Sequence, residues 1–210
     1  MKDPDIYGIE KVSAIILSAG QSERMGQSKA LLPFDKSRTF IQNLIYSYFN
    51  SGIRDIIIVL NSQNYETIFG HIQDLASEFQ LKIICNPSPE KGKLLSLKLA
   101  TASILHGNHS FIQNIDNPFS NSSLLIQMIQ KLAAKHFVVP SFGREKGHPV
   151  LLSKEIVKYL NLLDSEDKNF RFILNEFPLI ELHSEDPKIL ANINTQDDYL
   201  NYFNHVSAYK

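Results

Sequence analysis

Residues 17–29 read Leu17-Ser18-Ala19-Gly20-Gln21-Ser22-Glu23-Arg24-Met25-Gly26-Gln27-Ser28-Lys29. The glycine-containing turn lets bare backbone N–H groups approach a ligand, and Arg24 and Lys29 bring two cations to the same stretch. Together these are the parts of a cradle for phosphate oxygens. The spacing is not that of a Walker A loop, because Gln27 rather than a lysine follows Gly26, and it does not fit G-x-G-x-x-G. Taken alone, the residues fit an ordinary strand-to-loop turn with solvated charges equally well.

The elements on either side decide where such a loop would sit. Four short apolar runs, Val12 to Leu17, Ile56 to Leu60, Leu81 to Cys85 and Phe111 to Ile115, each stop at turn-forming residues, as fully buried strands do. Between them, Phe40-Ile41-Leu44-Ile45-Tyr48, Ile68-Ile72-Leu75-Phe79, Leu95-Leu99-Ala102 and Leu125-Met128-Ile129-Leu132 repeat with helical period. The alternation predicts βαβ units: a doubly wound α/β fold whose mostly parallel sheet carries helices on both faces, with ligands at the carboxyl ends of the strands. The last third is less regular. Strands are expected at His136 to Pro140, His148 to Leu152 and Leu179 to Leu182, with a polar loop at Gly143 to Gly147. Helices are expected at Glu155 to Leu163, Asn169 to Phe177 and Thr195 to Val206.

Composition narrows the class of function. Hydrophobic residues make up 43% of 210 and charged residues 20%, enough to bury a core, and no linker-like stretch divides residues 1–210, which are treated as one domain. Twenty-one basic and 22 acidic side chains leave a net charge of -1, so no overall positive field exists to hold a nucleic acid. Cys85 is the only cysteine, which excludes an internal disulfide and multi-cysteine metal sites and fits a reducing cytoplasm. The N-terminal residues lack the apolar core of a signal peptide, and no apolar run is long enough to span a bilayer, so no membrane partner is expected.

The segment Leu17-Ser18-Ala19-Gly20-x-Ser22-x-Arg24-Met25-Gly26-x-x-Lys29 resembles the signature of the MobA-like nucleotidyltransferases, which include molybdenum cofactor cytidylyl- and guanylyltransferases. Further matches follow in the family's order: Asn86, Gly92 and Ser96-Leu97; Asp116-Asn117-Pro118; Gly147-His148-Pro149-Val150; and Asn192-Ile193-Asn194-Thr195-x-x-Asp198. The resemblance implies a glycosyltransferase-A-like fold and Mg²⁺-dependent transfer of a nucleoside monophosphate from an NTP to a phosphorylated small molecule such as molybdopterin. Pyrophosphate would leave. It makes Ser18, Ala19, Gly20, Ser22, Gly26, Gly92 and Ser96 nucleotide-binding, Arg24, Lys29 and Asp116 catalytic, and His148 acceptor-binding. It assigns the metal to Asp116, with Asn194 and Asn192 as further ligands where many relatives carry aspartates. A molybdoenzyme is a possible partner.

Each assignment has a plainer alternative. Asp116 fits an N-cap, although Ser120, Asn121 and Ser122 are better placed, and its position after an apolar strand suits a hard oxygen ligand for Mg²⁺. Thr195 and Asp198 have the spacing of a capping box and are left out of the metal set. Gly92 and Ser96 also fit a simple helix start within a helix over Leu94 to Leu105. His148 has no second histidine or cysteine at ligand spacing, which argues against a metal role. The alanine in Ser18-Ala19-Gly20 resembles the version of the loop associated with cytidylyl transfer, and a methyl at Ala19 would take space that a purine needs, so CTP is favoured over GTP. Competing functions are a sugar-1-phosphate nucleotidyltransferase and a non-catalytic nucleotide-binding or cofactor-delivery protein.

Overall fold

The computed structural model describes residues 8–20, 25–105, 107–163 and 169–203. The four apolar runs form β1 (Val12–Ser18), β2 (Asp55–Asn61), β3 (Lys82–Asn86) and β4 (His109–Asn114). All three pairings among them are parallel, in the order β3-β2-β1-β4. Every residue of β1 and β2 is buried, which is why these runs show no polar alternation. Strand order reverses at β1, which has β2 on one side and β4 on the other, so the carboxyl end of β1 lies at a topological switch point.

The sheet continues through β5 (Phe137–Phe142), β6 (Glu145–Lys146), β7 (Val150–Leu152) and β8 (Leu179–His183). β7 lies antiparallel between β4 and β5, β6 pairs antiparallel with β5, and β8 pairs parallel with β5, completing eight strands.

Alternate residues of the central strands feed two cores. Ala14, Ile16, Ile56, Ile58, Leu60 and Phe111 face α1 (Phe40–Asn50), α2 (Tyr65–Glu78), α4 (Ser122–Lys131) and α7 (Gln196–Phe203). Ile15, Leu17, Ile57, Val59 and Ile112 face α3 (Lys93–Thr101), α5 (Lys154–Leu162) and α6 (Phe170–Leu174). The expected doubly wound α/β arrangement is therefore present, with helices on both faces.

Several boundaries differ from the sequence expectation for identifiable reasons. His148 and Pro149 lie outside β7: the His148 N–H donates to the Ile189 carbonyl, and Pro149, joined to it by a cis peptide, has no N–H for the ladder. The helix expected to reach Leu105 stops at Thr101, where the backbone of the next turn is tied to other partners: the Leu105 N–H donates to Asp55 and the Ser103 carbonyl accepts from Lys82. α6 is shorter than expected. Asn169 caps its start by accepting from the Arg171 N–H, and the chain leaves the helix ahead of Pro178. α7 begins at Gln196, after a realised capping box in which Asp198 accepts from the Thr195 N–H and the Asp198 N–H donates to Thr195.

Candidate active site

A cleft of about 290 Å³ opens at the carboxyl ends of β1 and β4, at the lower end of the size range for small-molecule sites. Ala19, Gly20, Lys29, Gly92, Lys93, Ser96, Asn114 and Asp116 are among the residues lining it. Motifs separated by up to about a hundred residues are thus brought to one place by the parallel sheet. Asn61, at the end of β2, donates to the carbonyls of Ala19 and Gly20, both at 3.2 Å, and so fixes the root of the loop. Ser18 is buried at the end of β1, beneath the cleft, and is not among its lining residues. Gly26 is exposed and adjoins Met25, which is anchored in the core, and it too is absent from the lining. Ser22 and Arg24 lie outside the described residues.

Asp116 follows β4 in a turn that is held on both sides. Beneath it, Gln113 donates to the carbonyls of Asn114 and Asn117 and accepts from the hydroxyls of Tyr48 and Ser120. Across from it, the buried Asn117 amide donates to the carbonyls of Lys188, Ile189 and Ala191 at 3.2, 2.8 and 3.0 Å. The Ile193 N–H donates to the Asp116 carbonyl at 2.9 Å, which sets Asn192 and Asn194 beside the aspartate. The N-cap of α4 is Asn121, so Asp116 is not consumed in capping. Burial raises its carboxyl above the ordinary range, against the opposing pull of Lys29 and then Lys93.

The two asparagines are already engaged. Lys29 Nζ donates to Asn194 Oδ1 at 2.6 Å, and Asn194 Nδ2 donates to Asn192 Oδ1 at 2.6 Å. Each amide oxygen keeps a second lone pair. Asp116 and Asn194 together supply hard oxygens of the kind Mg²⁺ accepts when one or two carboxylates and substrate phosphates share its coordination. Among the described residues no group of three His, Cys, Asp or Glu side chains is placed to hold a metal, so any metal here depends on amide oxygens and bound ligand as well as Asp116.

On the far wall, Gly92 adopts φ +91°, a conformation that disfavours any residue with a side chain, and α3 starts at the next residue. Ser96 lines the cleft and accepts from the Asn86 amide at 2.9 Å, while Asn86 itself is wholly buried and holds the following turn through the Ser88 N–H. Leu97 belongs to the core. The backbone at Gly147 passes so close to Ile189 that a Cβ there would lie 2.5 Å from the Ile189 carbonyl oxygen, which explains the glycine before His148. His148 Nε2 lies 3.3 Å from the Asn114 amide, and burial, aided by Lys93, lowers its imidazole to about 4.

Sequence reasoning passed over three contributors. Asn61 and Gln113 look like ordinary strand residues, and their roles depend on pairing that only the fold supplies. Lys93 stands in a helix start, and its one distinguishing sign is a cation directly after the Gly92 turn. The residue as a whole is exposed; desolvation at its ammonium lowers it to about 8, against the pull of Asp116.

A sheet of this order with a cation-lined cleft at its switch point is a doubly wound nucleotide-binding type of α/β fold, shared by solved nucleotidyltransferases. A nucleotidyl transferase from Methanothermobacter thermautotroptrophicus superposes with a TM-score of 0.75 at 18% identity, covering 93% of this chain and 97% of that one. CTP:phosphocholine cytidylyltransferase from Streptococcus pneumoniae gives 0.64 at 16% identity, covering 91% and 97%. In sequence, the molybdenum cofactor cytidylyltransferase of Escherichia coli (strain K12) is 26% identical over 193 residues, 90% of this chain and 94% of the relative. The MobA-like NTP transferase domain matches residues 14–182, and the chain belongs to that family.

Proposed function

We propose that the protein transfers CMP from CTP to a phosphorylated small molecule, with molybdopterin as the leading acceptor, and releases pyrophosphate. The observation that carries this reading is that Lys29 and Asp116 line the same cleft as Ala19 and Gly20, with Lys29 anchored by Asn194. Similarity to a molybdenum cofactor cytidylyltransferase supports the choice of acceptor. Ala19 is a lining residue of the cleft, and a methyl there would take space that a purine needs, which supports the choice of base.

In this mechanism the loop backbone at Ala19 and Gly20 receives the nucleotide, and Lys29 neutralises the donor phosphates. An acceptor phosphate oxygen attacks the α-phosphorus, forming the new P–O bond as the bond to the β-phosphate bridging oxygen breaks and pyrophosphate departs. The attacking phosphate is already anionic at neutral pH, so no general base is required. Asp116, with Asn194, would hold Mg²⁺, which supplies Lewis-acid neutralisation of phosphate charge. Positioning and charge neutralisation, the tasks these residues perform, are the main requirements of phosphoryl transfer.

The test is pyrophosphate release by the full chain with CTP or GTP, paired with molybdopterin or a sugar 1-phosphate, across a Mg²⁺ titration. Turnover with CTP and molybdopterin is the expected result. Because one methyl discriminates by only about 1–3 kcal/mol, the preference for CTP should be moderate and should shrink in Ala19→Gly. Turnover confined to a sugar 1-phosphate would reassign the acceptor, and nucleotide binding without turnover on any acceptor would make the protein a carrier.

A further inference from the structure

Two lysines reach the cleft from different elements, and their surroundings differ. Lys29 is anchored by Asn194 on the side of the loop after β1. Lys93 enters from the first turn of α3, and among the described residues no carboxylate or carbonyl is hydrogen-bonded to its ammonium. The ammonium lies over the face of Phe170, whose ring centroid is 5.3 Å from Nζ. A desolvated cation resting on an aromatic ring keeps its hydrogen-bonding capacity for a ligand.

His148 supplies a second observation. With Nε2 accepting from the Asn114 amide, the proton of the neutral ring sits on Nδ1, and Nδ1 is buried without a partner. An unpaired buried donor is uncommon in folded proteins. Lys93 is near enough to bias both Asp116 and His148 electrostatically. Among the described lining residues one carboxylate, Asp116, faces two lysines, Lys29 and Lys93, a net positive charge.

We infer that Lys93 is a specificity-determining residue that binds the anionic phosphate of the acceptor on the His148 side of the cleft, separate from the donor phosphates at Lys29. The inference rests on the transferase reading and deepens it: a phosphate held there would be the attacking group, and acceptors without an anion would be bound poorly.

Inorganic phosphate is the probe. It is titrated into the full chain, both alone and with a saturating non-hydrolysable CTP analogue, and amide NMR shifts are followed for the wild type, Lys93→Met and Lys93→Arg. Affinity for the CTP analogue is measured separately by calorimetry. The expected result is that Lys93→Met weakens phosphate binding in the presence of the analogue by about tenfold or more, the scale of a charge-assisted contact. Its affinity for the analogue stays within about threefold of the wild type, and Lys93→Arg retains phosphate binding. A wild type that binds no phosphate beside the analogue, or a Lys93→Met variant that binds it normally, overturns the inference. An equal loss for phosphate and analogue also overturns it, by placing Lys93 at the donor. If the wild type binds phosphate through Lys93 but binds no nucleotide, the anion subsite stands and the transferase reading falls.

Discussion

Asp55 and Asp116 are both shielded aspartates at strand ends, and they sit at opposite edges of the same sheet. Asp55, at the start of β2, accepts from the Ser13 hydroxyl, the Lys82 ammonium at 2.7 Å and the Leu105 N–H at 3.2 Å, while Asn108 donates onward to Ser13. Its charge is consumed by the fold. Asp116, after β4, receives no hydrogen bond from another described side chain, and burial pushes its carboxyl up. A half-buried carboxylate with unmet acceptor capacity is held at a cost to stability, and ligand charge would relieve that cost. The amino-terminal edge of the sheet is built for permanence, and under the proposed function the carboxyl-terminal edge is the one that receives a ligand.

Substitutions at the two aspartates should therefore separate activity from stability. Asp116→Asn should lower transfer activity roughly a thousandfold or more, since several kcal/mol of charge stabilisation are lost. A raised carboxyl pKa means the folded state holds its proton more readily than the unfolded state, so ionisation at neutral pH disfavours folding. The thermal midpoint of Asp116→Asn should therefore equal or exceed that of the wild type. Calorimetry beside the activity assay checks both; a marked loss of stability would erase the contrast. Lys29→Ala comes next, with an expected rate loss of roughly 10²- to 10³-fold by analogy with removing one preorganised donor. Single-turnover rates at saturating nucleotide measure it.

Asp55→Ala reverses the pattern. Breaking its ion pair and hydrogen bonds should cost about 3 kcal/mol, somewhat below a fully buried pair because the Lys82 side chain is 38% exposed. Urea unfolding reads that loss, and the kcat/KM of the folded fraction should stay near the wild-type value. The smallest effect is a pH slope. Burial lowers His109 to about 4, and its Nδ1 accepts from the Lys154 N–H at the first turn of α5, so only the neutral ring can keep that bond. His148 is lowered in the same direction. Between the ordinary histidine value and about 4 the unfolded state binds more protons, so stability should fall as pH drops through that window. His109→Asn should flatten the slope in urea titrations at stepped pH.

The central strands were plain in the sequence because burial on both faces leaves unbroken β-branched runs, and Asp116 stood out because it follows one of them. The region after β5 was harder to read. The β5–β7 and β5–β8 pairings join segments whose short apolar stretches resemble one another, and the His148–Pro149 break depends on a bond to Ile189 that local pattern does not reveal. The same limit applied within the site. Asn117 was visible as part of a motif, but its hold on the carbonyls of residues 188–191 spans more than seventy positions. Lys93 was hidden because a lysine at a helix start ordinarily points to solvent.

The bond between Lys29 and Asn194 closes a sequence separation of 165 residues. Long-range contacts carry a larger loop-closure entropy and tend to form late in folding. The β1–β4 core can assemble from segments much nearer in sequence, but the loop lysine gains this partner only when residues 188–195 dock against the Asp116 turn. The cleft therefore acquires its final charge arrangement near the end of folding, and recovery of nucleotide binding during refolding should lag behind recovery of helical signal.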